Sequence, residues 1–201
     1  SFSSDFIISL LYGYLTRKYY PSMNKIKEII IGTNNKGKYR EIRDLLPSKI
    51  KKYSPKKYGI PSPKETGKTF KQNSFIKASY FSKKTNQICL SDDSGLEIDL
   101  LNGKPGIYSS RWAGKKSNFD LAIKKVFEQM NNIKKNWKNE NKARFICNMT
   151  LYWPDGQNFS SEGYIEGKIS DVKKGKNGFG YDPIFIPNGY KKTFGEMESK
   201  L

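Results

Sequence analysis

The segment from Ala143 to Trp153 constrains the fold most, because its apolar and polar residues alternate. Apolar side chains stand at every second position from Phe145 to Trp153, and Arg144, Asn148 and Thr150 occupy alternate positions on the other face. Successive side chains of a strand point to opposite faces of its sheet. The pattern therefore predicts a long half-buried strand that ends in a turn at residues 154–156.

Helical and extended patterns divide the rest of the chain. The clearest helix begins near Phe119, with Ser117 or Asn118 as its cap, and its apolar residues follow helical spacing to Met130. The other segments are predicted helices at 38–46 and 70–82, predicted strands at 28–31, 88–90, 95–100, 164–169 and 184–186, and an irregular connection at 47–67. Strands alternate with helices early and cluster late, so the sequence predicts an α/β fold with a mixed sheet.

A chain of 201 residues suits one domain or two small lobes that share a core. Met23 follows Pro21-Ser22 and would make a natural start for a folded domain. We therefore expect residues 1–23 to be an extension of unknown role and residues 24–201 to form the domain. The apolar run at residues 6–11 is far shorter than the ~20 residues of a membrane helix. It also lacks the features of a signal peptide, so we expect no membrane association.

The sequence contains no histidine. This excludes Ser–His triads, Cys–His dyads and the His-rich zinc sites. Acid–base chemistry must then use carboxylates, lysines, tyrosines or a metal-bound water.

The formal net charge is +18, from 37 Lys and Arg against 19 Asp and Glu. One interpretation is a basic nucleic-acid-binding protein without catalytic activity, since basic charge neutralises phosphate. However, only five of the basic residues are arginines, which base reading favours. A general preference for Lys and Asn on the surface is an equally open interpretation.

The two cysteines, Cys89 and Cys147, lie far apart in apolar runs typical of strands. We predict buried free thiols rather than a disulfide. Free thiols fit a reducing compartment, which favours a cytoplasmic location.

The first chemically informative loop joins the strand at 28–31 to the following helix. Backbone N–H groups at a helix N-terminus attract anions, and a glycine lets the chain approach a ligand closely. The spacing is not that of a P-loop, and an ordinary turn with solvated lysines remains an alternative. The residues predicted to bind a polyphosphate are Thr33, Asn34, Asn35, Lys36, Gly37 and Lys38.

The second loop is Ser91 to Gly95, at the end of an apolar strand, and it contains the adjacent acids Asp92 and Asp93. Adjacent buried carboxylates repel each other unless a cation compensates them. Mg²⁺ prefers carboxylates together with phosphate oxygens and water. The loop is therefore a candidate Mg²⁺ site, and a turn capped by its own aspartates is the alternative.

The third loop spans residues 173–183 and places three glycines around an aromatic residue. Phe179 would stack on a planar base, and Asp182 would accept hydrogen bonds from ring N–H groups. The alternative is a glycine-rich hairpin tip. Together the three loops offer phosphate contacts, a metal and a base platform, as a nucleoside triphosphate requires.

These loops and several further motifs resemble those of the inosine triphosphate pyrophosphatase (Ham1-like) family. The resemblance extends in order from about residue 26 to residue 196. The motifs that carry it are Thr33-x-Asn35-x-x-Lys38-x-x-Glu41, Glu65-x-Gly67-x-x-Phe70-x-x-Asn73, Asp92-Asp93-Ser94-Gly95-Leu96, residues 102–111, Phe179-Gly180-Tyr181-Asp182-Pro183 and Lys192-Thr193.

The resemblance implies an enzyme that hydrolyses ITP, dITP and XTP to the nucleoside monophosphate and pyrophosphate and so removes them from the nucleotide pool. It implies an elongated mixed β-sheet with flanking helices, two lobes around a central cleft, and a homodimer. The expected partner is a small nucleotide, with no stable nucleic-acid partner. The family also continues past residue 201 with a Ser-His-Arg segment and a helix, so we expect the sequence to lack that segment.

The resemblance also implies roles for individual residues. Asp93 is the expected general base and a Mg²⁺ ligand, and Asp92 and Glu65 are expected to support the metal. Ser94 and Lys77 are expected to join the first loop in holding the triphosphate. The residues expected at the base and sugar end are Phe179, Gly180, Tyr181, Asp182 and Lys192.

Overall fold

The computed structural model describes residues 26–114 and 116–198. The predicted extension at residues 1–23 and the end of the chain after residue 198 lie outside the described residues. Within the described ranges, no helix is both long and apolar enough to cross a membrane.

The strands form one six-stranded mixed sheet, which confirms the predicted α/β class. The strands are β1 (Glu28–Ile31), β2 (Lys51–Tyr53), β3 (Cys89–Ile98), β4 (Lys142–Tyr152), β5 (Asn158–Ile169) and β6 (Phe185–Pro187). Their order is β2-β1-β3-β4-β5-β6. Strand β1 is parallel to both β2 and β3, and β5 is antiparallel to β6.

The α-helices of the described residues are α1 (Lys36–Leu45), α2 (Phe70–Thr85), α3 (Ser109–Trp112) and α4 (Phe119–Ile133). Three of these four α-helices were predicted from the sequence, and α3 was not. Of the two proposed caps for α4, Asn118 is the one whose side chain accepts from the helix N-terminus. Short 3₁₀ helices lie at Pro55–Tyr58, Asp99–Leu101, Gly106–Tyr108, Trp137–Asn139, Asp182–Ile184 and Phe194–Glu196.

Two predictions about secondary structure were wrong. The connection at 47–67 is not irregular throughout, because it contains β2 and a 3₁₀ helix. The segment from Ser91 to Gly95 is not a loop, because β3 continues through it. Burying Asp92 and Asp93 within a strand is possible because lysines from distant segments neutralise them, as described below.

Strand β4 is more buried than its alternation predicts. Asn148 and Thr150 are both buried, although they occupy the polar face of the strand. The Ser74 hydroxyl of α2 lies 2.7 Å from Asn148 Oδ1 and 2.7 Å from Thr150 Oγ1. These hydrogen bonds satisfy the buried polar groups, so α2 packs against this face of β4.

The chain divides into two compact units. One contains residues up to 93 and residues 147–163, and the other contains residues 94–146 and those from 164 onward. The core of the first includes Ile29, Ile31 and Leu90, which pack with Met149 and Leu151. In the second, three aromatic rings pack together at centroid distances of 4.6–6.2 Å, those of Phe145, Phe185 and Phe194.

Both cysteines are free and buried, as predicted. Burial raises the pKa of Cys89 to about 12, and burial also raises the pKa of Cys147. The reactive thiolate form is therefore scarce at neutral pH.

We expect the native protein to react with a disulfide reagent such as DTNB at least about a hundredfold more slowly than the denatured chain at pH 8. Spectrophotometric thiol titration with and without guanidinium measures both rates. The denatured chain, in which both thiols react, is the internal control. Rapid labelling of the native protein would contradict the buried placement.

Candidate active site

Three carboxylates and two ammonium groups form a mostly buried cluster in the unit that contains residues up to 93. Asp92 and Asp93 lie on β3, Lys38 in the first turn of α1, Lys77 on α2, and Glu65 in the segment before α2. Lys38 Nζ lies 2.6 Å from Asp92 Oδ2. Lys77 Nζ lies 2.7 Å from Glu65 Oε1 and 3.3 Å from Asp93 Oδ1. The structure therefore brings together five of the residues predicted for catalysis, metal binding and triphosphate binding.

The local structure explains why each aspartate meets a different lysine. Asp92 and Asp93 are neighbours on a strand, so their side chains point to opposite faces of the sheet. Asp92 meets Lys38 of α1, whereas Asp93 meets Lys77 of α2. A different helix therefore supplies a counter-charge to each of the adjacent acids.

The cluster carries three acids and two bases, which leaves one excess negative charge when all are ionised. Burial is the main factor that raises the pKa of Asp93. Lys77 and Lys38 oppose that rise, and the nearby carboxylates Glu65 and Asp92 add to it. Burial disfavours the charged form of Lys38, yet Asp92 and Asp93 keep its pKa above the ordinary value.

One carboxylate oxygen of the cluster is suited to binding a hard cation. Asp93 Oδ2 is buried and accepts no hydrogen bond from any described residue, while Oδ1 of the same carboxylate meets Lys77. A carboxylate oxygen in this situation is a good ligand for Mg²⁺. Over the described ranges, however, no three His, Cys, Asp or Glu side chains are grouped as a metal site. Water and substrate oxygens would have to complete the coordination.

The predicted phosphate loop is held in shape by its own asparagines. Asn35 Oδ1 accepts from the backbone N–H groups of Gly37 and Lys38, at 2.8 and 3.3 Å, and so caps α1. Thr33 Oγ1 accepts from Asn35 N, and Asn34 Nδ2 donates to Ser62 Oγ. Asn35 thus occupies two of the amides that the sequence assigned to an anion.

A cavity of about 410 Å³ lies beside this loop. Half of its lining was not predicted from the sequence, namely Tyr39 and Arg40 of α1 and Ser54 and Lys56, which follow β2. Strands β1 and β2 are parallel, so their C-terminal ends meet at one edge of the sheet. The lining residues are Thr33, Asn34, Asn35, Lys36, Tyr39, Arg40, Ser54 and Lys56.

The predicted base-binding residues lie in the other unit, and they differ in accessibility. Phe179 is partly exposed. Tyr181 is buried, its hydroxyl donates to the Ser109 carbonyl, and its ring packs edge-on against Phe119 at 5.5 Å. Asp182 is buried and accepts from Phe179 N at 2.9 Å. Tyr181 and Asp182 therefore shape the loop that presents Phe179.

Three further predicted site residues belong to the same unit. Gly180 has a φ of 68°, in the left-handed region that favours glycine. Ser94 is half-buried on β3, directly after Asp93, and Lys192 is exposed.

Burial raises the pKa of Tyr181 and that of Asp182.

A family model described as the Ham1 family matches residues 29–201 of the chain. The dITP/XTP pyrophosphatase of Bartonella quintana is 42% identical over 178 residues, which cover 87% of this chain and 83% of that protein. The dITP/XTP pyrophosphatase of Zymomonas mobilis is 39% identical over 170 residues, covering 84% of this chain and 80% of that protein.

Solved structures match as well. A HAM1 protein from Coxiella burnetii superposes with a TM-score of 0.78 at 36% identity, over 86% of this chain and 88% of that one. The Ham1 protein of Staphylococcus aureus gives a TM-score of 0.75 at 35% identity, over 86% and 87% of the two chains. Sequence and fold agree over the same large share of the molecule: the chain belongs to the Ham1 family.

Proposed function

We propose that this protein hydrolyses the non-canonical purine nucleoside triphosphates dITP, XTP and ITP to the monophosphate and pyrophosphate, and so removes them from the nucleotide pool. The cluster of Glu65, Asp92 and Asp93 with Lys38 and Lys77 is the observation that carries the proposal. Relatives at about 40% identity are named dITP/XTP pyrophosphatases, which supports the choice of substrate.

Asp93 is the proposed general base. It is buried, its pKa is raised, and its Oδ2 accepts no hydrogen bond from the described residues. In the proposed reaction this carboxylate takes a proton from a water molecule whose oxygen bonds to the α-phosphorus. The bond from that phosphorus to the bridging oxygen breaks, and pyrophosphate leaves with the bond's electron pair.

Lys38 and Lys77 are the proposed contacts for the phosphoryl oxygens, together with the Thr33–Lys38 loop and Ser94. Both ammonium groups lie on carboxylates in this structure. A bound triphosphate would bring about four negative charges. These charges would attract the ammonium groups of Lys38 and Lys77 away from the carboxylates. Both lysines lie beside the proposed base and metal ligands, where the reacting phosphate would bind. They would therefore stabilise negative charge that develops on the phosphoryl oxygens.

Asp93, Asp92 and Glu65 are the residues that would hold Mg²⁺, with Asp93 as the ligand best supported by its unsatisfied oxygen. When bound there, Mg²⁺ would neutralise charge on the phosphoryl oxygens. The excess negative charge of the cluster favours a cation over a neutral ligand.

Recognition of the base is assigned to the loop that contains Phe179. Its partly exposed ring offers a stacking surface. Gly180, Tyr181 and Asp182 position that ring, and the exposed Lys192 would reach the sugar or phosphate end of the substrate.

We also propose a cytoplasmic homodimer with no stable nucleic-acid partner. The free buried thiols support a reducing compartment, and the family resemblance supports the dimer. Size-exclusion chromatography with light scattering tests the dimer. Binding to oligonucleotides over a salt series tests the remaining alternative, since a nucleic-acid-binding protein would show a steep salt dependence.

The function is tested by pyrophosphate release from dITP, XTP, ITP, ATP and GTP, with Mg²⁺ and with EDTA. We expect kcat/KM for the non-canonical substrates to exceed that for ATP and GTP by about 100-fold or more. EDTA should abolish turnover. Equal turnover of ATP would contradict the proposed selectivity, and release of orthophosphate would contradict cleavage at the α–β anhydride.

A further inference from the structure

The segment Glu65–Thr69 is held against the first turns of α2 by side chains of that helix. Gly67 N donates to Asn73 Oδ1 at 2.8 Å, and Lys68 N donates to Gln72 Oε1 at 2.6 Å. Two adjacent helix residues thus each accept from one of two adjacent backbone amides. Asn73 is completely buried, whereas Gln72 is exposed.

The contact between Asn73 and Gly67 leaves no space for a larger residue. A Cβ atom at position 67 would lie 2.6 Å from Asn73 Oδ1, so the backbone of Gly67 approaches the amide directly. Asn73 Nδ2 is buried and has no hydrogen-bond partner within residues 26–114 and 116–198. A buried donor without a partner destabilises the fold, and such costs are typical of functional sites.

Asn73 and Lys77 are separated by one helical turn and lie on the same buried face of α2. Lys77 Nζ contacts the Glu65 carboxylate and the Asp93 carboxylate. Asn73 holds the backbone of Gly67, two residues after Glu65. One face of one helix therefore contacts both the side chain of Glu65 and the chain that follows it.

We propose that Asn73 is a positioning residue for the reaction: it fixes the backbone of Gly67 so that the Glu65 carboxylate stays against Lys77 and Asp93. Its effect on catalysis rests on the proposed function, whereas its effect on the position of Glu65 does not. Asn73 acts through Glu65, so its loss should alter the Mg²⁺ dependence of the rate.

The test compares Asn73→Ala with Gln72→Ala, because each removes one side-chain acceptor from the same segment. We expect Asn73→Ala to lower kcat by about 10- to 100-fold and to raise the Mg²⁺ concentration that gives the half-maximal rate. Gln72→Ala should stay within about twofold of the wild type. Hydrogen exchange should be faster at the Gly67 amide in Asn73→Ala and unchanged there in Gln72→Ala.

A double-mutant cycle with Glu65→Gln tests whether Asn73 affects the rate through Glu65. If Asn73 acts through Glu65, Asn73→Ala should lower kcat much less in the Glu65→Gln background than in the wild type. Additive effects in the cycle would overturn the proposal, as would equal losses in Asn73→Ala and Gln72→Ala.

Two measurements keep the proposal testable if Asn73→Ala folds poorly or if the wild type turns over none of the nucleotides. Asn73→Asp retains an acceptor for Gly67 N, so the Gly67 amide should remain protected from exchange in that variant. The same cycle, measured as the thermal unfolding midpoint, should again be non-additive. Free exchange of the Gly67 amide in Asn73→Asp, or additive midpoints, would overturn the proposal without reference to turnover.

Discussion

Asp93→Asn will lower kcat for dITP by about 1,000-fold or more, because an amide cannot take the proton of the attacking water. The substitution preserves the size of the side chain, and the buried site keeps its shape. Lys77 loses one of its two carboxylate partners but retains Glu65. The loss should therefore appear in turnover far more than in folding.

Pyrophosphate release under saturating dITP measures this loss, and thermal melting measures folding. Asp44→Asn is the matched control, since Asp44 is an exposed acid of α1 in the same unit, and it should leave kcat within about twofold. Turnover above about one tenth of the wild type in Asp93→Asn would exclude Asp93 as the base.

The wild-type pH profile follows from the same carboxylate. Asp93 must be ionised to act as a base, and burial raises its pKa. The rate should therefore fall as the pH drops through this raised pKa, above the value near 4 of an ordinary aspartate. An acid limb centred below about pH 4 would contradict this assignment.

Lys77→Met is expected to affect both turnover and stability. It leaves the Glu65 and Asp93 carboxylates close together in a largely buried site without their shared counter-charge. Removing one partner of a buried ion pair costs about 3 kcal/mol or more of unfolding free energy. For a domain of this size that corresponds to a fall in Tm of roughly 10 °C, and we expect kcat/KM to fall by about 100-fold or more.

The stability loss in Lys77→Met should depend on pH in a defined direction. Lys77 lowers the pKa of Asp93, so its removal raises that pKa further. A carboxyl with a raised native pKa contributes stability below its unfolded pKa, and this contribution disappears as the pH rises through the native value. The deficit relative to the wild type should therefore be smallest near pH 4 and grow toward pH 8.

Thermal melts from pH 4 to pH 8 measure this deficit. Lys83→Met provides the control, because Lys83 is an exposed lysine of the same helix, and its Tm should change by no more than about 2 °C. Equal losses of stability in the two variants would contradict this prediction, as would a deficit of Lys77→Met that is independent of pH.

Elements with a strong local pattern could be predicted from the sequence. Strand β1, the helices at Phe70 and Phe119 and the buried thiols agree with the structure, because periodicity and side-chain type are local properties. Strand β3 could not be predicted through Asp92 and Asp93, because its continuation depends on neutralisation by Lys38, which is 54 positions away from Asp92.

The sequence also predicted which residue types form the site, but it did not predict which of these side chains contact each other. Lys38 and Lys77 were assigned to phosphate, and the structure pairs both with carboxylates. The sequence places Asn73 in a motif, and only the structure shows that it accepts a hydrogen bond from Gly67 N.

The sequence by itself determined the residue types available to the site: adjacent acids, lysines and glycines in an order that places the chain in its family. Only the tertiary structure decided which lysine neutralises which acid and which amide holds the backbone beside Glu65. The physical reason is that such partners meet through the placement of β1 beside β3 and the packing of α2, and no local periodicity encodes either.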